Sequence, residues 1–461
     1  MTKFLKCIYG IIKLLFILSK HQVFYGLKSY NIPSYINYFL ICINSFLSPT
    51  SVIKKTKLPL GKRLSHSLID MGPIYIKLGQ TLSTRPDLIG SEIASHLCQL
   101  QDKLPPFEFS LAKETLEKQY NKKISDIFIH FDKESVAAAS IAQVHKAQLK
   151  SGETVAVKIL RPSIFLKYEK DIAFLETIAH LVTSLLHKSN KLRLGKLISV
   201  FKETMRLELN LKFEASAAAR IRDNFAGDSS LKIPKIYWEY TSKNILVTEW
   251  IDGVSVYDKK ALSKLKIDCK KAASSIVNIF FNQAYRDGFF HADFHPGNIL
   301  LCHDGTIAMV DFGIVGILPE QDRLAIAEIL YAFLNKDYML VAKIHKKVGY
   351  IPQDTNLEYF AQSCRAVAEP IIGLPMKDIS FGNLLSQLIT LTKEYGMDAQ
   401  PQLLLLQKTI VMVEGVAASL DEELNMWNLA EPWIKKWGAK NISPEAKILR
   451  YFKNFIDKFL Y

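Results

Sequence analysis

His291-Ala292-Asp293-Phe294-His295-Pro296-Gly297-Asn298-Ile299-Leu300, with Ile307-Ala308-Met309-Val310-Asp311-Phe312-Gly313 shortly beyond, is the stretch that decides the fold. Asp293 and Asn298 have the five-residue offset of a kinase catalytic loop, in which the aspartate serves the acceptor and the asparagine binds metal. Asp311 opens an Asp-Phe-Gly element behind a short apolar strand, the position from which a carboxylate coordinates Mg²⁺. Magnesium is implied because triphosphate oxygens with Asp and Asn side chains make a hard oxygen shell. His291 and His295 read as structural hydrogen bonders, since no cysteine or third histidine has the spacing of a zinc site.

Upstream elements stand in kinase order. Val155-Ala156-Val157-Lys158 ends a short apolar strand with a lysine placed to reach nucleotide phosphates. Glu214 lies on a helix expected over 195–225, positioned to pair with that lysine. Each element alone is a weak signal; their order, with a strand before Asp311, is specific. Three departures exclude an ordinary protein kinase. Ala292 stands where the catalytic loop normally carries arginine, and Leu318-Pro319-Glu320 comes too soon after Gly313 for a peptide-docking platform. Where a G-x-G-x-x-G phosphate loop is expected, the chain has Val136, Ala137, Ala138, Ala139, Ser140, Ile141, Ala142, Gln143 and Val144. Alanine's Cβ restricts the positive φ and the close backbone approach that glycine permits, so nucleotide is expected in an altered pose.

Patterning around these motifs predicts an α+β, bilobal, protein-kinase-like fold with a mostly helical C-lobe. Residues near 64–125 read as helical, broken at Pro105-Pro106, and 126–161 as strands, with Ser151-Gly152 as a hairpin signal. Helices are expected from about 165 to 225, then a strand over Asn244–Trp250 and mainly helix beyond. The boundaries are set at 1–60 for a basic amphipathic region, 61–125 for a helical extension, 126–250 for the N-lobe, 251–430 for the C-lobe and 431–461 for an amphipathic end.

Composition is that of a folded protein, 49% hydrophobic and 23% charged. The cysteines at 7, 42, 98, 269, 302 and 364 form no C-x-x-C pair, which argues against a disulfide framework and fits a reducing compartment. The net charge of +14 is concentrated at the start: ten basic residues precede Asp70, the first acid. They are interleaved with Ile, Leu and Phe, which favours an anionic membrane surface over nucleic acid. Phe4–Ser19 is too short and too interrupted to span a bilayer. On a helical wheel, Lys3, Lys6, Gly10, Lys13 and Lys20 form one stripe and Leu5, Ile8, Ile11, Ile12, Leu15 and Phe16 cover much of the rest, the pattern of a helix lying in the headgroup plane. Ile448–Leu460 repeats that spacing. No other segment offers 18 clean apolar residues, Leu403–Leu420 being interrupted by Gln407, Lys408 and Glu414.

The alanine-rich loop resembles that of the UbiB family of atypical kinase-like proteins. Gly72-Pro73-Ile74-Tyr75-Ile76-Lys77-Leu78-Gly79-Gln80, with Ser83-Thr84-Arg85-Pro86-Asp87-Leu88 beyond, is similar to the family's K-x-G-Q signature. Leu100-Gln101-Asp102, with Pro105-Pro106-Phe107, resembles the family's next segment, and Glu208-Leu209-Asn210 sits where the family has E-x-D. The likeness covers roughly residues 60–350. It implies that Lys77, Gln80 and Glu208 belong to a regulatory extension folded over the active site. It implies a Lys158–Glu214 ion pair, Asp293 as catalytic aspartate, Asn298 and Asp311 as metal ligands, and Ala139 in place of a loop glycine. Asn210, in place of the family's aspartate, is a departure.

The resemblance implies an enzyme that binds ATP or ADP with Mg²⁺ and supports ubiquinone (coenzyme Q) biosynthesis. It would act at the cytoplasmic face of a bacterial-type inner membrane, with quinone-pathway lipids or enzymes as partners and no nucleic acid. Two rivals remain: a small-molecule phosphotransferase of aminoglycoside- or choline-kinase type, which has no need of the K-x-G-Q block, and a nucleotide-binding scaffold, against which the intact Lys158, Asp293, Asn298 and Asp311 argue.

Overall fold

Thr154–Leu160 shows how alternation builds the first sheet. Val155, Val157 and Ile159 are fully buried, whereas Ala156 and Lys158 between them are half-buried, as a strand with one face on a core requires. The structure, a computed structural model, describes residues 3–26, 34–49, 56–83, 85, 89–98, 100, 105–185, 194–372, 380–396 and 400–441. It divides into two units, Met1–Phe213 with Ile236–Trp250, and Glu214–Lys235 with Ile251–Tyr461.

In the first unit, β1 (Phe128–Phe131), β3 (Ala142–Leu149), β4 (Thr154–Leu160) and β6 (Ile245–Glu249) pair antiparallel in that order, and β2 (Ala137–Ala138) pairs with β3. The β3–β4 turn is the expected hairpin, with Gly152 at φ 102°. Helix Phe109–Tyr120 closes one face of the sheet through Ala112 and Leu116, which pack with Leu149, Val155, Val157 and Val247. Helices Leu60–Met71, Pro73–Ser83 and Ser91–Leu97 form a second core around Leu68, Tyr75, Ile93, Leu97 and Leu100. Gly72, at φ 108°, ends the first of these and Pro73 opens the next.

The single helix expected over 195–225 is two, Leu194–Glu208 and Leu211–Asn224. At the break, Leu211 N donates to Lys243 O (3.0 Å) and Asn210 Oδ1 accepts from Lys212 N (3.3 Å). Asn210 is thus a helix-capping side chain, a role that asparagine and aspartate fill about equally well.

The N-terminal helix Lys3–Lys20 forms as expected, with much of its apolar face exposed. Leu5, Ile8, Tyr9, Ile12 and Phe16 stand exposed, while Gly10 packs against the Phe174 ring of helix Ile164–Leu185. Lys13 and Lys20, both exposed, have acids of the protein nearby. Lys20 Nζ is 2.7 Å and His21 Nε2 2.9 Å from Asp70 Oδ2, and Lys13 acts on Asp171, whose carboxyl burial pushes above its usual range. Helix Ser34–Leu47 packs beside it and exposes Tyr38, Phe39 and Phe46. Ile448–Leu460, Pro86-Asp87-Leu88 and Gln101-Asp102 lie outside the described residues.

In the second unit, β5 (Leu231–Lys232), β10 (Ile307–Met309), β9 (Ile299–Cys302) and β7 (Gly253–Ser255) form one sheet, and β8 (Phe289–His291) pairs with β11 (Val315–Ile317). Helix Pro401–Leu420 is the one helix among the described residues long and apolar enough to cross a membrane, with mean hydropathy 1.6. It lies against helix Cys269–Phe281 and buries Leu403, Leu406, Ile410, Val413 and Ala417, as the core helix of a globular unit does.

Candidate functional site

The second unit assembles the catalytic loop with the Asp-Phe-Gly element. β9 and β10 pair antiparallel with Met309 opposite Ile299, so Asn298 and Asp311 stand at the same end of the hairpin. Val310 N donates to Asn298 O (2.9 Å), which fixes that juxtaposition through the backbone. Asn298 Nδ2 donates to Asp293 O (3.1 Å) and Asp293 Oδ2 (3.0 Å), tying the expected metal-binding amide to the expected catalytic carboxylate. With its amide nitrogen committed to Asp293, Asn298 has its oxygen to offer a cation. Asp311 sits in the left-handed region at φ 60°, which Asp tolerates better than most residues, and its Oδ1 accepts from Gly313 N (3.2 Å). Both are hard oxygen donors and fit Mg²⁺ shared with phosphate oxygens. Among the described residues no cluster of three or more His, Cys, Asp or Glu offers a metal cage.

His291 is the structural hub expected of it. It is fully buried, its Nδ1 accepts from Asp293 N (3.1 Å), and its Nε2 therefore carries the proton toward Val310 O (3.4 Å). Burial holds its pKa below the ordinary imidazole value, outweighing the pull of Asp293 and Asp311. Gln283, which sequence reading missed, receives His291 N on Oε1 (2.9 Å) from the π-helical turn Asn282–Asp287. No local motif marks that glutamine.

The short segment after Gly313 is a strand. β11 runs back along β8 with Gly316 opposite Phe290, where a Cβ would meet the Phe290 ring at 2.2 Å. Leu318 N then donates to Gly288 O (2.9 Å), and helix Glu320–Leu334 begins at once. Ala292 is fully buried, with its N donating to Ile314 O (3.0 Å) and its O accepting from Thr409 Oγ1 (3.4 Å). An arginine there has neither room nor an activation loop to read.

In the first unit, Lys158 is half-buried on β4 with Val144 and Leu246 as its Cα partners on the flanking strands. The alanine-rich loop is the turn between β2 and β3, closed by Ala139 N donating to Ala142 O (2.8 Å). Val136 is exposed at its start, whereas Ser140, Ile141, Ala142 and Gln143 are buried. The Gln143 side chain is engaged away from the turn: Oε1 accepts from Phe107 N (2.9 Å), and Nε2 donates to Phe107 O (3.3 Å) and His145 Nε2 (2.8 Å). His145 in turn donates from Nδ1 to Asp132 O (2.8 Å), and burial lowers its pKa. Glu214 is buried in the first turn of helix Leu211–Asn224 and belongs to the second unit.

Each letter of the K-x-G-Q block has a physical task. Lys77 Nζ lies 3.0 Å from Glu208 Oε2, with both side chains at most 10% exposed. Gly79 lets helix Pro73–Ser83 approach its neighbours: a Cβ there would meet Leu100 Cδ1 at 2.3 Å and Leu68 Cδ1 at 2.8 Å. Gln80 Nε2 donates to Leu100 O (3.3 Å). Lysine and glutamate thus join the two segments that sequence reading paired only by resemblance.

A unit whose five-stranded sheet carries a strand lysine, and a mainly helical unit carrying the Asp293–Asn298 loop and Asp311, define an atypical kinase-like protein. Residues 99–345 match the ABC1 atypical kinase-like domain, and residues 364–425 match the UbiB helical domain. The chain is 41% identical over 409 residues to the probable protein kinase UbiB of Pseudomonas paraeruginosa, covering 88% of this chain and 76% of that one. The corresponding Azotobacter vinelandii protein is 41% identical over 399 residues, 86% of this chain and 74% of its own. Rv3197 of Mycobacterium tuberculosis, solved in complex with erythromycin, shares the fold at a TM-score of 0.54 and 22% identity, over 86% of this chain and 97% of that one. The chain belongs to the UbiB family of ABC1-type atypical kinases.

Proposed function

We propose that the chain binds ATP with Mg²⁺ and turns it over in support of ubiquinone biosynthesis at a membrane surface. The observation that carries this reading is the joining of Asp293, Asn298 and Asp311 at one end of the β9–β10 hairpin. In this assignment Asn298 and Asp311 hold the cation, which would neutralise charge developing on the phosphates. Asp293 orients the acceptor hydroxyl or water and takes its proton. Lys158 binds phosphate oxygens, and the backbone of the turn from Val136 to Val144 covers them. Residues 61–125, carrying Lys77 and Gln80 and tied to Glu208, form the regulatory extension. With only β11 between Gly313 and helix Glu320–Leu334, a small or lipid-like acceptor, or water, suits the site better than a protein substrate. Membrane contact is supported by the exposed Leu5, Ile8, Tyr9, Ile12, Phe16, Tyr38, Phe39 and Phe46.

Phosphate release by the purified chain, with and without liposomes and a quinone-precursor-like phenol, tests this. Asp293→Asn is expected to abolish release while leaving nucleotide binding largely intact, and Asp311→Asn to weaken Mg²⁺-dependent binding. Wild-type turnover by Asp293→Asn would remove the assigned catalytic loop.

A further inference from the structure

Arg161, the residue just beyond β4, joins two places that the proposed nucleotide site needs fixed. Its Nε and Nη2 both donate to Ala139 O (3.1 and 2.9 Å), the carbonyl at the corner of the alanine-rich turn. The same Nη2 donates to Pro105 O (2.7 Å), and the guanidinium lies over the Phe107 ring, 5.6 Å from its centroid. Its own backbone N donates to Ile141 O (2.8 Å), so side chain and main chain grip the turn from both sides. Pro105–Phe107 is the segment leaving the K-x-G-Q helices, and Gln143 clasps the Phe107 backbone independently.

We propose that Arg161 is a positioning residue for nucleotide: it sets the Ala139 carbonyl and peptide plane, and ties that setting to the exit of the extension. The inference rests on the proposed binding of nucleotide at this turn. A turn of alanines lacks glycine's freedom but is not rigid by itself, since at its tip the bond within it is Ala139 N to Ala142 O, with Val136 N to Val144 O closing its base. A planar guanidinium that chelates one carbonyl and bridges to a second removes the remaining freedom. A lysine, with a point charge and no fork, reproduces one contact but not the chelate.

The test titrates ATP and ADP, each with Mg²⁺, against the full chain as wild type, Arg161→Met, Arg161→Lys, Ala139→Gly and Arg161→Met/Ala139→Gly. Arg161→Met keeps the stem's packing and is expected to weaken nucleotide binding on the order of tenfold, the scale of lost charge-assisted hydrogen bonds. Arg161→Lys is expected to fall between and carries the reading alone should Arg161→Met fold poorly. Because Arg161 acts through the Ala139 backbone, its loss is expected to cost less in the Ala139→Gly background, where the turn is already loosened. A residue that merely stabilises the fold would lower the melting temperature equally in both backgrounds and leave affinity and the ATP-to-ADP ratio unchanged. That result, with wild type still binding nucleotide, overturns the proposal. Failure of the wild type itself to bind ATP or ADP overturns the nucleotide site and this inference together.

Discussion

Replacing Lys77 by methionine leaves Glu208 buried without this cation, and the geometry sets the size of the effect. At 3.0 Å the two charges attract by about 5–6 kcal/mol at an effective dielectric of about 20, much of which offsets their desolvation. The pair as a whole therefore adds little over two apolar side chains, but removing one partner costs about 3–5 kcal/mol. In a unit of roughly 150–250 residues each kcal/mol moves the melting temperature by about 2–4 °C, so Lys77→Met and Glu208→Leu are each expected to lower it by about 6–20 °C. The double variant Lys77→Met/Glu208→Leu removes both charges from the same buried site and is expected to recover most of the loss. Calorimetry on the four proteins, resolving the transition of the first unit, measures this. Single variants melting within about 1 °C of wild type, or a double variant at the sum of the singles, would refute the claim that this ion pair holds the K-x-G-Q helix to helix Leu194–Glu208.

Acidification and membrane binding give two further tests. His345 is held neutral at a pKa of about 4 by burial against Tyr350 and Phe360, below the ordinary value of 6.5. The unfolded chain binds that proton first, so stability is full above about pH 6.5 and falls by about 3 kcal/mol between there and pH 4. Buried His145 and His291 shift in the same direction. A melting temperature flat from pH 7.5 to 5, or a slope untouched by His345→Gln, would contradict this. On liposomes, Ile8→Ser/Ile12→Ser/Phe16→Ser changes exposed side chains and is expected to weaken binding by roughly 2–4 kcal/mol. Because Lys13 and Lys20 stay exposed beside the apolar side chains, high salt is expected to release part of the intact chain and leave the part held by hydrocarbon burial. Cosedimentation that salt abolishes, or that the triple variant leaves intact, would return the contact to the lysines.

What the sequence made legible was whatever chemistry compresses into a short window. The Asp293–Asn298 offset and Asp311 behind its strand are local signatures, and the structure joins them through a single hairpin. The strands of the first sheet were readable because their burial has period two, a pattern local to each strand. What stayed hidden depends on partners distant in the chain. Nothing near Asn210 says that a cap outweighs helix continuity there; the deciding hydrogen bond comes from Lys243. Arg161 reads as an ordinary residue after a strand until Pro105 and Ala139 bring carbonyls to it from two separate upstream segments.

The N-terminal helix shows how far a helical wheel reaches. The wheel grouped Leu5, Ile8, Ile12 and Phe16, and these are exposed, but it could not say which positions the protein would hold. Phe174, distant in the chain, receives Gly10, and Asp70 pairs with Lys20, which stays exposed. With the apolar side chains exposed and Lys13 and Lys20 exposed beside them, a membrane contact there would combine buried hydrocarbon with headgroup charge. Salt dependence is the observable that separates the two contributions.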